Sequence, residues 1–165
     1  GRILKVSRIF LALMCTGMLV GCTDYSLPKV TPGNPQIIRV SEPDSKMMLT
    51  QSATSILTAC SSLNSQLLVY LEDTVKPTTE MKTSLENGIN TALDSITQTK
   101  DELNAVHVAT SCQDKQKSIV TLANSMIKTL NSMLQAIDEN NFTELKQLQT
   151  QFNNDATQMQ SYSIN

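Results

Sequence analysis

Aromatic residues make up only 4% of this chain, and tryptophan is absent. That excludes a cage of rings around a cationic ligand. Charge is scarce as well: 17% of residues are charged, 13 basic against 15 acidic, for a net charge of -2. A nucleic-acid surface needs concentrated cations, and no basic excess exists here to build one. The single histidine, His107, leaves no histidine-rich metal centre, and the cysteines are too far apart for a CxxC redox pair. Dinucleotide and phosphate loops, a nucleophile elbow and an HExxH helix are all missing. Five prolines and five glycines are few for a β-sandwich or barrel and suit a helical protein. No cofactor, no metal and no enzymatic activity are expected.

What remains is concentrated at the amino terminus and in helical periodicity. Arg2, Lys5 and Arg8 precede an apolar run of about 12 residues, Ile9–Val20. A helix needs roughly 20 apolar residues to cross a bilayer, so the run has the length of a signal-peptide core instead. It closes on Leu19-Val20-Gly21-Cys22. Basic start, apolar run, small residue and cysteine in that order resemble the signal and lipobox of bacterial lipoproteins. The resemblance implies cleavage before Cys22, acylation (palmitate among the chains) of that residue, and a cell-envelope protein anchored on the extracytoplasmic side. Thr23 stands where an aspartate would retain a Gram-negative lipoprotein at the inner membrane. By the same resemblance, it favours the outer membrane, facing the periplasm.

Residues 22–43 carry Pro28, Pro32, Pro35 and Pro43 with Gly33 and little periodicity. They read as a tether reaching about 25 Å as a coil and about 60 Å if polyproline-like. Ile37, Ile38 and Val40 give part of it the means to dock on the domain that follows.

From residue 44 to 165 the pattern is helical, and four stripes predict an antiparallel, up-down, all-α bundle. Leu49, Ala53, Ile56, Cys60, Leu63, Leu67 and Tyr70 alternate in steps of four and three, which keeps one helix face apolar. Lys76-Pro77 ends this segment, with Pro77 placed in the first turn of the next. Leu85, Ile89, Ala92, Ile96, Thr99, Leu103 and Val106 form the second stripe, interrupted by Gly88. Ile119, Ala123, Met126, Leu130, Met133 and Ile137 form the third. Asn141 and Glu144 match a capping box ahead of Leu145, Leu148, Phe152, Ala156 and Met159. Short connections make sequential helices antiparallel neighbours. The boundary between helices 2 and 3, across residues 105–112, stays open.

If Cys15 leaves with the signal and Cys22 is acylated, Cys60 and Cys112 remain. In an exported domain such a pair is expected to form a disulfide. Closing a loop of about 50 residues would stabilise the fold by roughly 4 kcal/mol. The alternative is two buried free thiols.

Candidate functional residues are few. His107 is the sole general-base candidate near neutral pH and reads as an exposed or capping residue. Glu72-Asp73, Asp101-Glu102 and Asp138-Glu139 fall at helix ends or on polar faces, and the sequon Asn141-Phe142-Thr143 coincides with a helix start. The methionines after Cys22 fit core filling, the alternative being a plastic groove for a partner helix. In Leu67-Leu68-Val69-Tyr70-Leu71 the apolar run is wider than one stripe. Either this end is enclosed on all sides, or Leu68, Val69 and Leu71 form a partner-binding patch.

Cys22, the pair Cys60 and Cys112, and the helical periodicity together resemble, in architecture alone, the pilotins that escort secretin subunits to the outer membrane. That likeness implies a membrane-anchored protein-interaction or assembly module, with a groove beside helix 1 for an amphipathic client segment. The sequence leaves two other readings: a carrier for an apolar small molecule or lipid between loosened helices, and a surface-exclusion lipoprotein.

Overall fold

The computed structural model describes residues 39–72 and 76–164; the lipobox, Cys22 and the tether up to residue 38 lie outside these. Four long helices form: α1 (Glu42–Tyr70), α2 (Thr79–Asn104), α3 (Gln113–Asp138) and α4 (Phe142–Ser163), with a 3₁₀ turn at Thr110–Cys112 before α3. Packing is cyclic: α1 and α3 each contact both α2 and α4, and α1 meets α3 more lightly across the diagonal. Tyr70 at the end of α1 stacks on Phe142 at the start of α4, and Val40 ahead of α1 bonds to His107 beyond α2. Neighbouring helices therefore run in opposite directions, and the expected all-α bundle is the observed fold.

Every residue of the first and third stripes is buried, as are the second and fourth except half-buried Val106 and Ala156. The core is one cluster from Leu49 near one end to Tyr70, Leu85 and Leu145 near the other. Met126, Met133 and Met159 fill it, so these methionines are packing residues.

Helix ends differ from the sequence reading in instructive ways. α1 begins at Glu42, two residues earlier than expected, because the Ser41 hydroxyl accepts from the Asp44 amide and Pro43 fits the first turn. It stops at Tyr70, well before Pro77, with the Leu71 amide donating to the Leu67 carbonyl to close the last turn. Pro77 lies outside α2, whose cap is Thr78, its hydroxyl accepting from the Met81 amide at 3.1 Å. The open boundary resolves into a strap, residues 105–109, and the 3₁₀ turn.

Between α3 and α4, Asn140 takes φ 55°. The Asn141 amide bonds to the Ala136 carbonyl and the Asn140 amide to Ile137, the pairing of a helix closed by a left-handed residue. Asn141 then caps α4, accepting from the Glu144 amide at 3.1 Å. Asparagine tolerates this backbone better than any branched residue, and glycine better still. Asn140→Ala should lower stability by about 1 kcal/mol and Asn140→Gly should not. Urea denaturation of both variants checks this.

Candidate interaction surface

At about 100° per residue, Leu67 and Tyr70 can both face the core only if the two residues between them point outward. Leu68 is 57% exposed and Val69 55%. Leu71, just past the helix, is half-buried and packed against the core, so it does not belong to the patch the sequence suggested. Phe142, 38% exposed, supplies the third open apolar side chain at this end, held by the stack on Tyr70 at 5.8 Å between centroids. Burial, and secondarily Glu86, push the Tyr70 hydroxyl above its ordinary pKa. The run is thus neither wholly enclosed nor one continuous patch.

Val69 lies one turn beyond Gln66 on the flank of α1 that faces α2. Along that flank runs a groove of about 840 Å³, floored by Ala59, Leu63, Gly88 and Ala92. Three of its five threonines are less polar than their names suggest. The hydroxyls of Thr58, Thr91 and Thr99 each donate to a carbonyl one turn back in their own helix, at 2.9 Å to Thr54, Asn87 and Ser95, an arrangement that satisfies the hydroxyl within its own helix. Glu80 is the one charged residue in the lining. Gly88 keeps the floor low: a β-carbon there would meet the carboxamide of Gln66, the movable end of a long side chain. Gly88→Ala should therefore displace Gln66 at little cost and raise stability by about 0.5–1 kcal/mol through helix propensity. Thermal denaturation checks it. The sequence reading did not find this groove. Its trace was the second row of small residues beside each core stripe: Ser55, Ala59 and Ser62 on α1, and Ser84, Gly88, Ala92 and Ser95 on α2.

At the opposite end the chain enters through a clasp. The Val40 amide donates to the His107 carbonyl at 2.8 Å in a short parallel bridge between Arg39 and His107. The buried Ser45 hydroxyl donates to the Val40 carbonyl and accepts from the Ala109 amide. Ser111 donates to the Glu42 carboxylate. Val40 itself is buried against Met48. Docking of the last tether residues is therefore observed for Arg39 and Val40; Ile37 and Ile38 lie outside the described residues.

This register corrects the expected disulfide. Cys60 and Cys112 are buried free thiols. Ser111 and Ala109 are bonded to the first turn of α1, while Cys60 stands about 15 residues further along that helix, roughly 22 Å at 1.5 Å per residue. A bridge tolerates only about 7 Å between α-carbons. Burial, and secondarily Asp155, push the Cys60 thiol up to about 12. A thiol raised in the folded state supports folding below its ordinary value, and that support fades as pH climbs towards 12. Reductant should leave the melting temperature unchanged near pH 7, and iodoacetamide should label Cys60 and Cys112 only after unfolding. Peptide mass spectrometry reads this out directly.

Among the described residues, no catalytic grouping gathers around the remaining candidates. His107 is exposed and its carbonyl serves the clasp, while the Ser111 hydroxyl is bonded to Glu42. Asp101 pairs with Lys100 at 3.6 Å, Glu102 accepts from Gln98 and Glu139 from Gln135. Burial, opposed by the Gln98 bond, raises the pKa of Glu102. Among the described residues no cluster of His, Cys, Asp and Glu could hold a metal ion, and no helix is long and apolar enough to cross a membrane.

The chain matches no family model, no curated protein and no solved structure.

Proposed function

We propose that this protein is a membrane-anchored lipoprotein of the cell envelope that works as a protein-interaction or assembly module. It is held by acylated Cys22 and presents the far end of its bundle to a protein partner. The observation that carries this reading is the polarity of the molecule. The described chain begins at the clasp, and three of the four large exposed apolar side chains among the described residues, Leu68, Val69 and Phe142, sit at the other end. The 29 residues of α1 separate the two ends, about 43 Å at 1.5 Å per residue. Arg39 and Val40, where the described chain begins, and the open apolar side chains thus lie at opposite ends of the bundle, an arrangement that suits reaching away from a surface that holds the chain by residues ahead of the clasp. Large apolar side chains left open at one end of the bundle are candidates for a partner site.

A photo-crosslinking residue at position 68, compared with one at Asn124 on the exposed face of α3, tests this in whole cells. A discrete adduct from position 68, lost when Val69→Ser and Phe142→Ser are added and absent from position 124, is expected. Equal labelling from both positions, or none from position 68, would reject the reading.

A further inference from the structure

The far-end patch leaves the α1–α2 groove without a role, and its dimensions limit what it can hold. Its lining extends from Ser55 to Gln66 on α1 and from Thr79 to Thr99 on α2, about 16 Å and about 30 Å at 1.5 Å per residue. A volume of about 840 Å³ over those lengths gives a cross-section of roughly 30–50 Å². A helix with its side chains, 10–12 Å across, presents roughly 80–110 Å². The groove is therefore too narrow to take in a whole helix and wide enough for an unbranched methylene chain. The floor suits one: Ala59, Leu63, Gly88 and Ala92 form it, and in the walls Thr58, Thr91 and Thr99 bond their hydroxyls to their own helices, while serines and amides leave the rim polar. The one charge, Glu80, lies on α2 about two turns beyond Gly88, where Gln66 sits, and the end nearer the clasp, at Ser55 and Thr99, is uncharged.

The length of chain ahead of the clasp supplies the occupant. Cys22 lies 17 residues before Arg39, a span whose coil dimension is about 21–25 Å. Ser55 stands 13 residues above the start of α1, about 20 Å. The clasp itself pairs the entering chain with the strap that follows α2, so the chain sets out beside the two helices that form the groove.

We propose that the α1–α2 groove receives an acyl chain carried on Cys22 of the same molecule, sheltering it from water when it is not in the leaflet. This rests on the lipoprotein reading. A chain sheltered about nine-tenths of the time would meet membranes about tenfold more weakly, so the groove would govern how readily the protein boards or leaves a surface.

The test compares the acylated protein purified from membranes with a mature Cys22→Ser form exported behind an ordinary cleavable signal. Methyl NMR reports on Thr58, Ala59, Thr91 and Ala92. In vesicle-free buffer these methyls should differ between the two forms, and excess phosphatidylglycerol vesicles should return the acylated protein to the Cys22→Ser positions. Added palmitate should shift the same methyls in the Cys22→Ser form and bind at least about tenfold more weakly to the acylated one, with Ala59→Leu weakening it in both. Superimposable spectra of the two forms without vesicles overturn the proposal, as does palmitate binding equally to both, which would make the groove a site for free lipid. Intact mass separates this from the parent reading. An unmodified Cys22 ends the lipoprotein reading and the sheltered anchor with it, whereas an acylated Cys22 with silent groove methyls ends the sheltering alone.

Discussion

Phe152→Ala is expected to lower the unfolding free energy by about 3–5 kcal/mol, a large part of what a domain of this size possesses. Phe152 is fully buried at the middle of α4 and is the largest of the side chains shielded completely from solvent. Removing the ring deletes its transfer energy and leaves a void among rigid neighbours from other helices, which relax only in part. Leu68→Ala should change stability by less than about 0.5 kcal/mol despite its comparable apolar loss, because Leu68 is mostly in water already. Urea denaturation of the two variants, with equal dependence on denaturant, checks the contrast. A small effect at Phe152 would mean that the core is looser than the stripes imply. A large effect at Leu68 would mean that the far end is packed rather than open, and the partner surface would go with it.

The bundle was legible because its information is local. Steps of three and four put Ile56 and Cys60, or Met126 and Leu130, on one face whatever surrounds them, and burial follows once four such faces exist. The caps at Ser41, Thr78 and Asn141 are equally local, although Pro77 mimics a helix start one residue ahead of the true cap of α2, Thr78. What failed depended on register between helices. Whether Cys112 meets Cys60 depends on how far the strap climbs before α3 starts, and the hydrogen bonds that hold it low, Ala109 to Ser45 and Ser111 to Glu42, join residues more than sixty apart. No periodicity encodes such a pairing.

The candidate surface was legible in half. That Leu68 and Val69 are open follows from Leu67 and Tyr70 both being core residues, a matter of helix geometry. That Leu71 folds back on the core and Phe142 completes the far end depends on where α1 stops and how α4 starts against it. The groove was hidden for a related reason. Rows of small residues such as Ser84, Gly88 and Ala92 can bring helices together or leave a channel, and only the packed structure decides between the two. Here α1 and α2 touch along their length yet leave their outer flanks apart.

On the lipoprotein reading, exchanging residues 1–21 for an ordinary cleavable secretory signal, together with Cys22→Ser, should move essentially all of the protein from the membrane pellet to the soluble fraction. Nothing in the described bundle would hold it: no helix there is long and apolar enough to span, and Leu68, Val69 and Phe142 offer only part of their surface. Acyl chains contribute about 0.8 kcal/mol per buried methylene, and even one such chain gives an association constant of about 10⁴ M⁻¹, while two make a durable anchor. Their removal is thus a change of several orders of magnitude, far beyond any effect of a point substitution in the bundle. Circular dichroism should meanwhile show the helical domain intact, since residue 22 lies well ahead of the clasp. Retention in the pellet would mean that the far end itself grips the membrane, and adding Leu68→Ser and Val69→Ser would then release it. The two outcomes assign the open apolar end to different surfaces, a protein partner in the first case and the bilayer in the second.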